Sequence, residues 1–163
     1  MYSVGIITAS DKGAAGKRED KSGPLIAQIM SENGYDVKQT LIVKDEQSLL
    51  AAAMVDFADN KGCSLILTTG GTGFAPRDVT PEATLSVVDK QAPGISEAIR
   101  AYSMRITPRA MLSRGVSGIR GNSLIINLPG SPKAVSECLS FILASLSHGL
   151  DILNGNDNEC ARE

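Results

Sequence analysis

Tryptophan is absent from the 163-residue sequence, aromatic residues make up only 4% of it, and there is one histidine, His148. A chain of this size still buries a core. That core must be built from Ile, Leu, Val and Ala, the composition of helices packed on a parallel sheet. Neither sign of charge dominates: 16 basic against 18 acidic residues leave a net charge of -2. This excludes a general electrostatic footprint for nucleic acid or an anionic membrane, so any anion binding must be local. Cys63, Cys138 and Cys160 are widely spaced, contain no CxxC pair and have one histidine to join them, which supports neither a disulfide framework nor a zinc site. No apolar run approaches the ~18 residues of a membrane helix. The start, Met1-Tyr-Ser-Val-Gly5, lacks the basic and apolar regions of a secretory signal, so a cytoplasmic location is expected.

What the sequence does have is a concentration of glycine at one place. Leu65-Ile-Leu-Thr-Thr69 reads as a buried strand, runs into Gly70-Gly-Thr-Gly73, and is followed by Phe74-Ala-Pro-Arg-Asp-Val-Thr80 and a helix opening at Pro81. Glycines at 70, 71 and 73 allow positive φ and close approach to a ligand, so successive N–H groups can converge on phosphate oxygens. A plain tight turn is the simpler reading, but three glycines around a threonine exceed what a turn needs.

Elsewhere strands and helices alternate. Tyr2–Ala9 predicts a central strand with apolar residues on both faces, and the glycine-rich, charged stretch from Asp11 to Ser22 an exposed loop. A helix follows from Ser22-Gly-Pro24 to Asn33-Gly34, then a strand over Tyr35–Val43 and a helix through Leu49, Leu50, Ala53, Met54 and Phe57. Thr80 is expected to cap the helix after the glycine loop. A helix over Ile95–Ile106 is interrupted at Pro108; Val116–Arg120 and Ser123–Leu128, joined by Gly121-Asn122, predict a hairpin or bulged return. The last helix spans Lys133–His148, with His148 beside Gly149 at its end, and Met104 and Met111 read as core filler. This pattern predicts an α/β sandwich on a mostly parallel sheet: one domain over residues 1–153 and a polar tail over 154–163. The loops at Ser10, Asp45, Gly70 and Gly130 then open on one sheet edge, where such folds bind ligands.

Several ordered segments resemble one family. Thr68-Thr-Gly-Gly-Thr-Gly73, Arg77-Asp-Val-Thr-Pro-Glu-Ala83, Pro108-Arg-Ala-Met-Leu-Ser-Arg114, Gly118-Ile-Arg-Gly121 and Asn127-Leu-Pro-Gly-Ser-Pro-Lys133 are similar to the molybdenum-cofactor biosynthesis proteins of the MogA/MoaB type. These are molybdopterin adenylyltransferases, related to the G domains of plant and animal cofactor-assembly proteins, gephyrin among them. The resemblance covers Val4 to about Leu153. It implies a three-layer α/β/α fold, a homotrimer, and transfer of AMP from Mg-ATP to the terminal phosphate of molybdopterin, with a molybdate-insertion protein as a possible later partner. It implies that Gly70, Gly71, Thr72, Gly73, Ser10 and Asp11 serve the nucleotide, that Asp45 and Asp78 are catalytic and hold the metal, and that Asp20, Ser22, Ser113, Arg114, Pro129, Gly130, Ser131 and Pro132 serve molybdopterin.

The inventory suits that chemistry. A phosphate nucleophile is already ionised, so no His, Ser or Cys needs activation; what is required is alignment and neutralisation of charge. Two carboxylates suit Mg²⁺, which takes one or two protein oxygens plus phosphate and water. Simpler roles stand beside these. Asp45 could cap the helix that follows it, Ser22 could cap its own, Asp11 and Asp20 could be solvated, Asp78 could serve the following helix start, and Pro129-Gly130 could only turn the chain. Arg77 could pair with a phosphate or with a neighbouring acid. At the level of function, a molybdopterin carrier that does not turn over ATP is the alternative, as is a free-standing relative of the domain fused in molybdate-inserting or competence-associated proteins. The intact glycine loop with both aspartates favours the enzyme.

Overall fold

The computed structural model describes residues 1–156. Six strands, β1 (Ser3–Ala9), β2 (Asp36–Val43), β3 (Leu65–Thr69), β4 (Lys90–Gln91), β5 (Ser117–Arg120) and β6 (Ser123–Leu128), form one sheet in the order β2-β1-β3-β6-β5-β4. The pairs β1–β2, β1–β3 and β3–β6 are parallel, whereas β5 runs antiparallel to β6 and β4 antiparallel to β5. The helices are α1 (Asp11–Ala14), α2 (Ser22–Glu32), α3 (Gln47–Val55), α4 (Thr80–Val87), α5 (Pro93–Met104) and α6 (Pro132–Leu153).

Side chains alternate across the central strands and fill a core on each face. Val4 and Ile6, Leu65 and Leu67, and Leu124, Ile126 and Leu128 meet Ile26 and Met30 of α2, Ile99 of α5 and Val135, Leu139, Ile142, Leu146 and Leu150 of α6. Ile7, Ile66 and Ile125 face the other way, onto Leu50, Ala53 and Met54 of α3 and Ala83 and Val87 of α4. The expected three-layer sandwich on a mostly parallel sheet is the fold observed.

Some expectations need correction. Gly149 does not end the last helix: α6 runs on to Leu153 because Leu150 packs into the core and Asp151 accepts a hydrogen bond from Tyr2. His148 therefore lies within the helix rather than at its end. α6 is also long and apolar enough by length and composition to cross a membrane, although no unbroken apolar run announces it; here one face fills the core against the sheet. Met104 and Met111 are not core filler, being 45% and 62% exposed where α5 gives way to a 3₁₀ turn at Pro108–Leu112. The short edge strand β4 and a π-helical turn at Asp56–Asn60 have no counterpart in the sequence reading. Of the expected tail, Asn154 donates its N–H to the Leu150 carbonyl and closes α6; positions beyond 156, Cys160 included, lie outside the described residues.

Candidate active site

β1, β2, β3 and β6 end at Ala9, Val43, Thr69 and Leu128, and the loops that follow meet at the carboxyl edge of the sheet. Two positive-φ residues turn the β3 loop: Gly70 (φ +88°) and Gly71 (φ +67°). A Cβ at Gly70 would lie 2.5 Å from the Ala9 carbonyl oxygen, and one at Gly71 2.3 Å from Thr80 Oγ1 and 3.3 Å from Asp45 Oδ1. Only glycine satisfies both demands. Gly73 corrects the expectation of three such residues: its φ is ordinary, and what it supplies is room, since a Cβ there would stand 2.9 Å from Asp78 Oδ2. Thr80 corrects another. It is the first residue of α4 rather than its cap, and its hydroxyl and N–H donate to the Gly70 and Gly71 carbonyls at 2.9 and 3.1 Å. The helix start thus locks the glycine turn.

Asp45 and Asp78 line one cavity of ≈ 680 Å³ above this loop. Asp45 is not the cap of α3, which is Glu46 without a side-chain bond. Its Oδ2 instead accepts the Asp11 N–H at 2.8 Å, while Asp11 Oδ1 accepts the Asp45 N–H at 3.1 Å, so the β1 and β2 loops brace each other. Burial pushes the Asp45 carboxyl above its ordinary pKa, opposed by the Asp11 N–H and reinforced by the negative charges of Asp11 and Asp78. Asp11 goes the other way: Arg77, forked onto it at 2.9 and 3.0 Å, holds its carboxyl below the usual range. Arg77 therefore pairs with an acid. Asp78 accepts the Ala75 N–H at 3.1 Å, a local turn that stiffens its own loop.

Ser10, Asp20, Ser22, Gly70, Gly71, Gly130, Ser131 and Pro132 line the same cavity. Several hold it together. Asp20 accepts the N–H groups of Ser22 and Gly23, both at 3.0 Å, and the Thr8 hydroxyl at 2.6 Å, so from one residue before the N-cap, Lys21, it satisfies the first turn of α2 and ties it to β1. The Ser22 hydroxyl, freed from capping, donates to the Gly130 carbonyl at 2.8 Å, and Thr69 donates to the Pro129 carbonyl at 2.6 Å. These two bonds strap the β6–α6 turn to its neighbours. Ser131 accepts the Ala134 N–H at 3.3 Å and caps α6, whose positive N-terminal end borders the cavity. Ser10 accepts the Gly13 N–H at 2.9 Å.

The remaining predicted residues do not line that cavity. Thr72 is buried behind the loop and Gly73 lies beside Asp78. Asp11 acts through Arg77 and Asp45, and Ser113 and Pro129 border a separate, mostly apolar space of ≈ 230 Å³. Arg114 turns toward the backbone of the glycine loop. Both cationic residues in the cavity wall escaped the sequence reading: Arg18 and Lys21. They lie beside Asp20 in a stretch whose charges read as solvation. Their nearness to a candidate acid was the available clue.

Residues 5–148 match a family model described as "Probable molybdopterin binding domain". The chain is 42% identical over 156 residues to a molybdopterin adenylyltransferase of Helicobacter pylori J99, covering 94% of this chain and 88% of that protein. It is 36% identical over 175 residues to the molybdopterin adenylyltransferase of Escherichia coli K12, covering 98% and 89%. The crystal structure of the molybdopterin biosynthesis enzyme MoaB from Thermus thermophilus superposes with a TM-score of 0.90 at 45% identity, covering 95% of this chain and 98% of that one. A sheet edge organised by a glycine turn between two aspartates, matched over nearly the whole length in sequence and fold, leads to one assignment: the chain belongs to the molybdopterin-binding domain family.

Proposed function

We propose that the chain is a molybdopterin adenylyltransferase, transferring AMP from Mg-ATP to the terminal phosphate of molybdopterin with release of pyrophosphate. The observation that carries this reading is the placement of Asp45 and Asp78 in one cavity wall with the Gly70-Gly71 turn. An ionised phosphate oxygen of molybdopterin attacks the α-phosphorus of ATP. As that O–P bond forms, the bond from the α-phosphorus to its bridging oxygen breaks, and pyrophosphate leaves with the electron pair. No proton needs to be removed from the nucleophile, which fits a site wall without histidine.

Asp45 and Asp78 would hold Mg²⁺. Among the described residues no cluster of three or more His, Cys, Asp or Glu offers a metal cage, which suits a cation that keeps waters and takes phosphate oxygens as further ligands. When bound, it supplies neutralisation of phosphate charge. The protein adds Arg18, Lys21 and the N-terminal end of α6. The glycine turn and Gly130-Ser131-Pro132 meet in one cavity wall, with Gly130 seated against Gly70, so the nucleotide and molybdopterin would share one space. The reading further includes a cytoplasmic location, where ATP is abundant, delivery of the product to a molybdate-insertion protein, and a homotrimer. Exposed Met104, Ile106, Met111 and Leu112 support self-association.

The deciding experiment is pyrophosphate release from Mg-ATP with and without molybdopterin, for the wild type and Asp78→Asn. Molybdopterin-dependent release that collapses by at least about 100-fold in the variant is expected. Tight binding of molybdopterin with no release would make the chain a carrier.

A further inference from the structure

Arg114 lies between the 3₁₀ turn and β5, 36 positions after Asp78, and yet it spans the loop that carries Asp78. Its N–H donates to the Thr72 carbonyl at 2.8 Å, its Nε to the Gly73 carbonyl at 2.8 Å and its Nη2 to the Asp78 carbonyl at 2.8 Å. Nη1 is paired with the Glu82 carboxylate in the first turn of α4. Nε and the terminal nitrogen beside it form one planar edge, so the two carbonyls are gripped by a single rigid fork. Those carbonyls mark the two ends of segment 73–78. Inside the segment the bonds between Asp78 and Ala75 are local, and among the described residues its other polar tie to the fold is the exposed Arg77–Asp11 pair.

We propose that Arg114 is a positioning residue for adenylyl transfer: its fork sets the span of the 73–78 loop and so aims the Asp78 carboxylate into the cavity. This rests on the adenylyltransferase reading. The donors of Arg114 are spent on the protein's own carbonyls and on Glu82, and the side chain is absent from the cavity wall, which separates this role from contact with either substrate. A lysine in its place carries the same charge but no fork, and satisfies one carbonyl at a time.

Arg114→Lys tests it, with Arg114→Gln as the second variant should the first not fold. Amide hydrogen exchange over residues 72–79 reads the clamp, and steady-state kinetics with Mg-ATP and molybdopterin read its consequence. We expect exchange in that segment to quicken about tenfold as local opening becomes easier. We expect kcat to fall on the order of 10- to 100-fold, the cost of a slightly misplaced catalytic group, with KM for molybdopterin unchanged. A raised molybdopterin KM with kcat intact would make Arg114 a substrate contact and overturn the proposal. Unchanged exchange, or faster exchange without loss of kcat, would overturn it as well. If the wild type shows no molybdopterin-dependent release, the adenylyltransferase reading fails and the catalytic role of Arg114 with it; the exchange result then still decides whether the clamp exists.

Discussion

Asp11 and Asp45 each donate a backbone N–H to the other's carboxylate, yet their pKa values are shifted in opposite directions. Arg77 lowers the Asp11 pKa in the folded state, so the stability this pair contributes is fully present above the unfolded carboxyl value and is lost as pH falls through the folded one. Asp11→Asn should therefore lower Tm at neutral pH, and the gap to wild type should close in acid; a gap independent of pH would assign the loss to packing. Because both partners are exposed, the gap should also shrink in high salt. Asp45 is raised, chiefly by burial, so the folded state favours its protonated form: its contribution to stability is present below the unfolded value and lost as pH rises through the raised one. At neutral pH the carboxylate thus costs stability, a cost that the metal-holding role proposed for Asp45 would explain. Asp45→Asn, which can still accept the Asp11 N–H, is expected to raise Tm at pH 7 while abolishing pyrophosphate release, the trade that catalytic groups commonly show. Thermal melts and the release assay on one preparation measure both. Asp45 and Asp78 were candidates in the sequence because motifs resembling the family's cover them, in loops expected at strand ends; the Arg77–Asp11 fork could not be read, because it joins positions 66 apart through backbone turns that composition does not encode.

At the scale of elements, Asn127 shows how the site loops are anchored from beneath. At 4% exposure in β6, its amide nitrogen donates to Thr68 Oγ1 of β3 at 3.0 Å and Thr84 Oγ1 of α4 at 2.8 Å, and its oxygen accepts the Val116 N–H at 3.1 Å. Replacing it with leucine strands buried partners, at about 1–3 kcal/mol each. At roughly 2–4 °C per kcal/mol for a chain of this size, a fall in Tm of at least about 3 °C is expected by calorimetry; an unchanged Tm would mean water replaces the amide. The central strands were readable because burial on both faces leaves dense Val, Ile and Leu runs, and α2, α3 and α4 because their starts and stops follow glycine, proline and apolar spacing. Strand β4, two exposed residues long, exists through its pairing with β5 and has no pattern of its own. Gly149 misled because a glycine past the last expected apolar residue reads as a stop, whereas tertiary packing of Leu150 carries the helix on.

For the whole molecule, the parallel arrangement of β1, β2, β3 and β6 forces their loops to one edge, which is why the meeting place of the candidate loops could be inferred before its geometry. The same arrangement makes ligand binding a whole-fold event, since the cavity wall is built by the loops after all four strands together with the starts of α2 and α6. A ligand that binds only this assembled edge stabilises the folded state by mass action, about 2.7 kcal/mol at a hundred times its Kd. At roughly 2–4 °C per kcal/mol, saturating Mg-ATP should raise Tm by about 5–10 °C. If Asp45 and Asp78 hold the metal, chelation with EDTA should remove most of that shift, and Asp45→Asn should show the same small shift with and without Mg²⁺. An ATP-induced shift that survives EDTA unchanged in the wild type would mean that the glycine turn, Arg18, Lys21 and α6 bind the phosphates unaided. The two carboxylates would then have to act on the reaction by some route other than a shared cation.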